Sequence, residues 1–141
     1  MNGHRGAGMR LLLSFLALAA AIPACQAQTR PPQTLTPIVV SGKDRQVGFF
    51  YALNSDCSTR GEGDLRLIRK PEHGTVEFKS GRDAPHFPEG TPVTHCNGQM
   101  VPGQAVWYKS AEGYLGKDYF DVEFIGPRGA DIINRYVVTV K

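Results

Sequence analysis

The chain has 141 residues, enough for one domain and short for two. Apolar residues make up 41% and charged residues 21%, an ordinary globular balance. Without its first 27 residues the chain carries 14 basic against 13 acidic residues, a net charge of +1, which excludes the dominant basic surface of a nucleic-acid-binding domain.

Residues 1–27 read as a secretory signal peptide. "MNGHRGAGMR" carries Arg5 and Arg10 and no acid. "LLLSFLALAAAI" is an apolar run, and Pro23 and the small residues of "ACQAQ" follow it. The run is too short for a membrane span, which takes roughly 20 apolar residues. Two exits from the signal stay open. Cleavage after Ala27 has Cys25 and Ala27 at the small-residue positions and releases a soluble product. Alternatively "IPAC" resembles a bacterial lipobox, in which Cys25 is lipidated and holds the protein on a membrane. Pro23 fits the lipobox poorly, and the soluble product is favoured. Either exit places the protein in the periplasm or outside the cell.

Export leaves Cys57 and Cys96 as an even pair in an oxidising compartment, so a Cys57–Cys96 disulfide is expected. Closing a loop of about 40 residues stabilises by about 4 kcal/mol in the chain-entropy treatment.

Residues 28–37, "QTRPPQTLTP", form a Pro-rich lead-in or linker. The domain proper spans 38–141. Its first strand is expected near Ile38–Ser41. A second, near Gln46–Leu53, is so continuously apolar that burial on both sides is expected. "NSDCSTRGEGD" is a polar loop. "LRLIRK" alternates Leu65 and Leu67 against Arg66 and Arg69, with Ile68 off-phase. "PEHG" is a turn, and "TVEFK" sets Val76 and Phe78 on one face.

Residues 80–103 hold four prolines and four glycines and read as a long irregular loop, tied back through Cys96. "QAVWYK" then puts Val106 and Tyr108 on one face and Trp107 nominally on the other. "DYFDVEFI" sets Phe120, Val122 and Phe124 toward a core and Asp121 and Glu123 toward water. "DIINRYVVTVK" closes the chain with Tyr136, Val138 and Val140 on one face. Seven strands, frequent Gly/Pro turns and no sustained helical period predict an all-β antiparallel sandwich of about seven strands with one disulfide.

"KPEHGTVEF", "VWYKSAEGYLGKDYFDVEFIGPRG" and "YVVTVK" resemble the bacterial immunoglobulin-like or cadherin-like repeat domain over residues 70–141. That family carries a "P-x-x-G-T-V" strand, then a "Y-x-P-x-x-G-Y-x-G-x-D-x-F-x-Y" segment, a glycine-bearing hairpin and a closing "V-x-V" strand. Ser110 or Ala111 stands where its proline usually is. The segment around Cys57 and "HCNGQMVPG" also look similar to small exported proteins with a single such domain. The resemblance implies an immunoglobulin-like antiparallel β-sandwich, usually a structural or adhesive module, and fold likeness by itself assigns no function. The single copy lacks a "D-x-N-D-N" run, so no calcium ligands carry over.

Individual residues point the same way. Asp118 opens a strand after "GYLGK", where a short carboxylate accepts backbone N–H bonds and fixes a turn. Asp121 and Glu123 share a solvated strand face rather than a cleft. His95, Cys96 and Met100 are the donor types of a blue-copper site, but His precedes Cys directly, and adjacent strand residues point to opposite faces. No "G-x-S-x-G" elbow or Walker lysine is present. Arg66, Arg69 and Lys70 form at most a small basic patch. Trp107 either packs under the long loop or stays exposed to stack on a sugar or anchor a partner.

The expected protein is therefore an exported, non-catalytic binding or structural module without cofactor or metal. Its partner is an envelope protein or polysaccharide, and its expected contacts are Trp107, His86, His95 and the 80–103 loop. A periplasmic copper- or zinc-handling protein using His86, His95 and Met100 is the alternative, and a small envelope hydrolase stands last.

Overall fold

The computed structural model of the chain describes Met1, Gly3 and residues 31–141. The rest of the expected signal peptide, Cys25 and residues 28–30 of the lead-in lie outside the described residues. Eight strands follow in order: β1 (Gln33–Leu35), β2 (Ile38–Val39), β3 (Asp44–Phe50), β4 (Asp64–Arg69), β5 (Gly74–Asp83), β6 (Val101–Ser110), β7 (Gly116–Ile125) and β8 (Asp131–Val140). One 3₁₀ turn, Thr94–Cys96, lies between β5 and β6. Among the described residues no helix is long and apolar enough to cross a membrane.

The strands form two sheets. In one, β8, β7 and β4 are antiparallel neighbours, and β1 and β2 run parallel along the outer side of β8. In the other the order is β3-β6-β5, all antiparallel. In immunoglobulin lettering β3, β6 and β5 are B, E and D, and β4, β7 and β8 are C, F and G. The chain is an immunoglobulin-like sandwich.

The inward stripes are those that alternation dictates. Phe120, Val122 and Phe124 of β7 meet Tyr136, Val138 and Val140 of β8 and Val106 and Tyr108 of β6 in one core. Three rings stack across the sandwich: Phe120 lies 4.5 Å from Tyr136 and 5.7 Å from Tyr108, centroid to centroid. Phe50 of β3 stacks on Phe124 at 5.2 Å. β3 bulges between Gln46 and Gly48. A Cβ at Gly48 would collide with Tyr136 Oη, so the close passage of β3 over the β8 ring requires glycine there.

Burial pushes the Tyr136 phenol up to about 12, and burial together with its bond to Asp118 raises Tyr108 as well. A tyrosine whose folded pKa exceeds its unfolded value near 10 favours the folded state only while it stays protonated. Stability is therefore fully present below pH of about 10 and falls as pH rises further, by up to about 1.4 kcal/mol per pH unit for each such group. Ultraviolet titration should show the two core tyrosines ionising only as the far-ultraviolet signal collapses. Their ionisation in a folded protein near pH 10 would contradict the packing.

Two segments are more regular than their composition predicts. Gln33–Leu35, inside the Pro-rich lead-in, pairs with Asn134–Tyr136 and adds an eighth strand to the seven expected. Pro31, Pro32 and Pro37 favour extended backbone and lack an N–H to donate, although Pro37 O still accepts from the Thr139 amide of β8 at 2.9 Å. The irregular 80–103 segment is also shorter than expected. Ser80–Asp83 and Val101–Gln104 continue the β5–β6 ladder, leaving a loop over 84–100. Conversely, the second strand ends at Phe50 rather than Leu53.

Candidate functional site

Three loops meet at one end of the sandwich: 51–63 after β3, 84–100 between β5 and β6, and 126–130 between β7 and β8. The expected disulfide is present, with Cys57 and Cys96 Cα atoms 5.5 Å apart. Antibody domains pin strand B to strand F across the core. Here the bond staples the first loop to the second outside the main core. Around it lies a satellite cluster in which Leu53, Cys96 and Val101 are buried and Phe49, Tyr51, Phe87 and Val93 pack against them. Phe49 thus covers the outer side of the end of β3 while Phe50 enters the main core, which accounts for the unbroken apolar run.

Each loop is internally braced. In the first, the Asn54 amide and Nδ2 donate to Ser58 O and Oγ, the Cys57 amide donates to Asn54 O at 3.1 Å, and Leu53 bridges to Thr59. Asp56 Oδ1 accepts from the Ser58 amide and hydroxyl, and these bonds hold its carboxyl below the usual range. Cys57 sits at φ 68°, the one non-glycine with positive φ among the described residues. In the second loop, Asn97 imitates a strand partner for Phe87: its Oδ1 accepts from the Phe87 amide at 2.8 Å and its Nδ2 donates to Phe87 O at 3.0 Å. Thr94 Oγ1 donates to Pro88 O at 2.9 Å. The third loop closes on the Gly126 amide bonded to Ala130 O.

Between the loops lies a cleft of about 320 Å³. Tyr51, Phe87, Val93 and Ile132 form its apolar walls, and the exposed Arg60 and Arg128 stand at its rim. Tyr51 and Phe87 meet edge to face at 5.6 Å, and burial raises the Tyr51 phenol. Among the described residues neither Arg60 nor Arg128 is in an ion pair, although Arg60 Nε donates to Asn54 Oδ1 at 3.2 Å. Two desolvating aromatic walls beside two guanidinium groups that have no ion-pair partner among the described residues suit a partner that combines an apolar group with a carboxylate.

The residues singled out from the sequence fall in several places. Trp107 lies neither under the long loop nor free. It is half-buried on the outer face of β6 between Gln46 and Glu77, with Lys79 Nζ 4.7 Å from its ring centroid. His86 and His95 are exposed on the 84–100 loop. Met100 is exposed just before β6. His73 stacks on Tyr114 at 4.1 Å, a turn contact at the start of β5. The basic patch is answered internally: Arg66 pairs with Asp64 at 2.9 Å, and Arg69 lies 5.7 Å from the Tyr119 ring centroid.

Two carboxylates differ from expectation. Asp118 does not cap its own turn alone. Its oxygens accept from the amides of Glu72 and His73 in the β4–β5 turn, from Tyr108 Oη and from the Tyr119 amide. Asp121 was expected in water, yet only 8% of it is exposed. Its phase is as expected, but it sits on a central strand between Arg69 and Arg135, and Arg135 Nε donates to it at 3.2 Å. Glu123, on the same face, stays half-exposed.

The cleft residues Tyr51, Phe87, Arg60 and Arg128 were not singled out. A usable signal was the ring in "APHFP", since an aromatic in a proline-rich loop has no strand face to occupy and packs where the loop lands.

No family model matches the chain, and no curated protein matches it. Among solved structures it is similar to the solution structure of Amebosin, at 12% identity over 79% of this chain and 100% of that chain, with a TM-score of 0.39. At that score the likeness carries no argument.

Proposed function

We propose that this chain is a non-catalytic, exported module of the bacterial immunoglobulin-like or cadherin-like kind that binds a partner in the envelope or outside the cell. The observation that carries the reading is the cleft at the loop end, walled by Tyr51 and Phe87 and rimmed by Arg60 and Arg128. Loops on a rigid sandwich are the usual place for recognition, and a covalent staple lowers the ordering cost on binding. The disulfide supports export, because such bonds persist in oxidising compartments. The partner is an acidic segment of an envelope protein, or an acidic polysaccharide, that seats an apolar or ring group in the cleft and a carboxylate on the arginines.

Calorimetric titration with acidic peptides carrying one aromatic or aliphatic residue, and with acidic polysaccharide fragments, tests this. Phe87→Ala and Arg128→Ala should each weaken binding by about tenfold or more, as the loss of an anchor does. Trp107→Ala should leave it unchanged. Binding lost with Trp107→Ala and kept in the loop variants would move the surface to the β3-β6-β5 face and defeat this reading.

A further inference from the structure

We propose that the Cys57–Cys96 pair, once reduced, forms a metal site with His95 for a thiophilic ion, zinc in the first instance. The Sγ atoms of Cys57 and Cys96 and a ring nitrogen of His95 all lie within 4.8 Å of one another. His95 Nε2 stands 3.8 Å from Cys96 Sγ. Around a tetrahedral zinc with bonds near 2.3 Å to sulfur and 2.0 Å to nitrogen, a sulfur and a nitrogen are separated by about 3.5 Å and two sulfurs by about 3.8 Å. The sulfur–nitrogen edge of that tetrahedron is therefore within about 0.3 Å of its length.

The reason for expecting His95 and Cys96 on opposite sides does not hold in the fold. Both residues belong to the 3₁₀ turn Thr94–Cys96 rather than to a strand. Neighbouring side chains in that geometry are about 120° apart, close enough to share an ion. The other sulfur has room to move. Cys57 is half-exposed, on a surface turn braced mainly by Asn54 and Ser58, while Cys96 is fully buried in the satellite cluster. His95 is exposed, which leaves the fourth position to water. Reduction does not dismantle the frame, because every buried residue of the main core comes from a strand and none from the two stapled loops.

The reductant is a dithiol. One thiolate attacks the more accessible Cys57 Sγ, and the Cys96 sulfur leaves and takes a proton. The second thiol of the reductant then resolves the mixed disulfide and frees Cys57. Two electrons and two protons pass to the protein, and the dithiol becomes a disulfide. Zinc binding displaces the two thiol protons. His86 and Met100 take no part.

The test uses the mature domain under argon, reduced with a phosphine, in competition with a chromophoric zinc chelator. Reduced wild type should bind one zinc ion per chain, and the oxidised form none. His95→Ala should weaken the reduced form by about tenfold or more, and His86→Ala should not change it. Cobalt in place of zinc should give thiolate-to-metal charge-transfer absorption. Circular dichroism of the reduced, metal-free domain should retain the strand signal. Zinc binding no tighter after reduction than before, or equal in wild type and His95→Ala, overturns the proposal.

Discussion

Asp118→Ala should lower unfolding stability by about 3–5 kcal/mol. The carboxylate is 1% exposed, and among the described residues it is the only acceptor for the Glu72 and His73 amides and the Tyr108 hydroxyl, at 2.9, 3.0 and 2.8 Å. Removing it strands three donors at the edge of the core, and each unsatisfied group costs about 1–3 kcal/mol, with partial relief where water can enter. A domain of this size has a net stability of about 5–15 kcal/mol, so the variant should be near its folding limit. Urea unfolding provides the measurement. Tyr108→Phe removes one of the three bonds and should cost about 1 kcal/mol. A loss below about 1 kcal/mol for Asp118→Ala would mean that the carboxylate does not tie the β4–β5 turn to β6 and β7. The physical interest of the residue is that it links three elements distant in sequence, so its loss should register as a global change.

Replacing both cysteines, Cys57→Ser with Cys96→Ser, should cost about 4 kcal/mol through the freedom returned to the unfolded chain, given a separation of 39 residues. The local consequence should be larger at the loop end than in the sheets. The satellite cluster around Leu53, Cys96 and Val101 loses its covalent tie, whereas the stacked Tyr108, Phe120 and Tyr136 rings keep all their neighbours. Hydrogen exchange should therefore accelerate first in residues 51–63 and 84–100, below the global unfolding free energy, with protection on β6 and β7 falling only as far as global stability falls. Binding at the cleft should weaken with the loops. Uniform acceleration through both sheets would show that the staple supports the main core, contrary to its position.

Both expected results rest on features of unequal legibility. The inward stripes of β7 and β8 could be read residue by residue, because a strand places alternate side chains on alternate faces whatever its neighbours. The disulfide could be read from an even cysteine pair behind a signal-like segment. Asp118 was legible as structural but not as the link between three elements, since its partners lie 10, 45 and 46 residues away. Asp121 was assigned the correct face and the wrong environment. Phase tells which side a residue takes, whereas burial there depends on Arg69 and Arg135 arriving from neighbouring strands. Ser80–Asp83 and Val101–Gly103 read as loop because of their glycines and proline, yet ten successive pairs across β5 and β6 outweigh that local preference.

What the sequence determined by itself was the class: strands, their faces, a sandwich of immunoglobulin-like type and a covalent pair. The strands, their faces, the sandwich and the pair follow from local rules, the two-residue period, turn chemistry and the count of cysteines, whereas the immunoglobulin-like type came from the motif resemblance over residues 70–141. The tertiary structure decided which loops share an end, and so which residues form a cleft. It also decided that His95 and Cys96 lie on a 3₁₀ turn beside Cys57, and that Trp107 lies under Lys79 rather than at the loops. These are consequences of strand order and register, set by the packing of distant stripes against one another, and no local window of the chain encodes them.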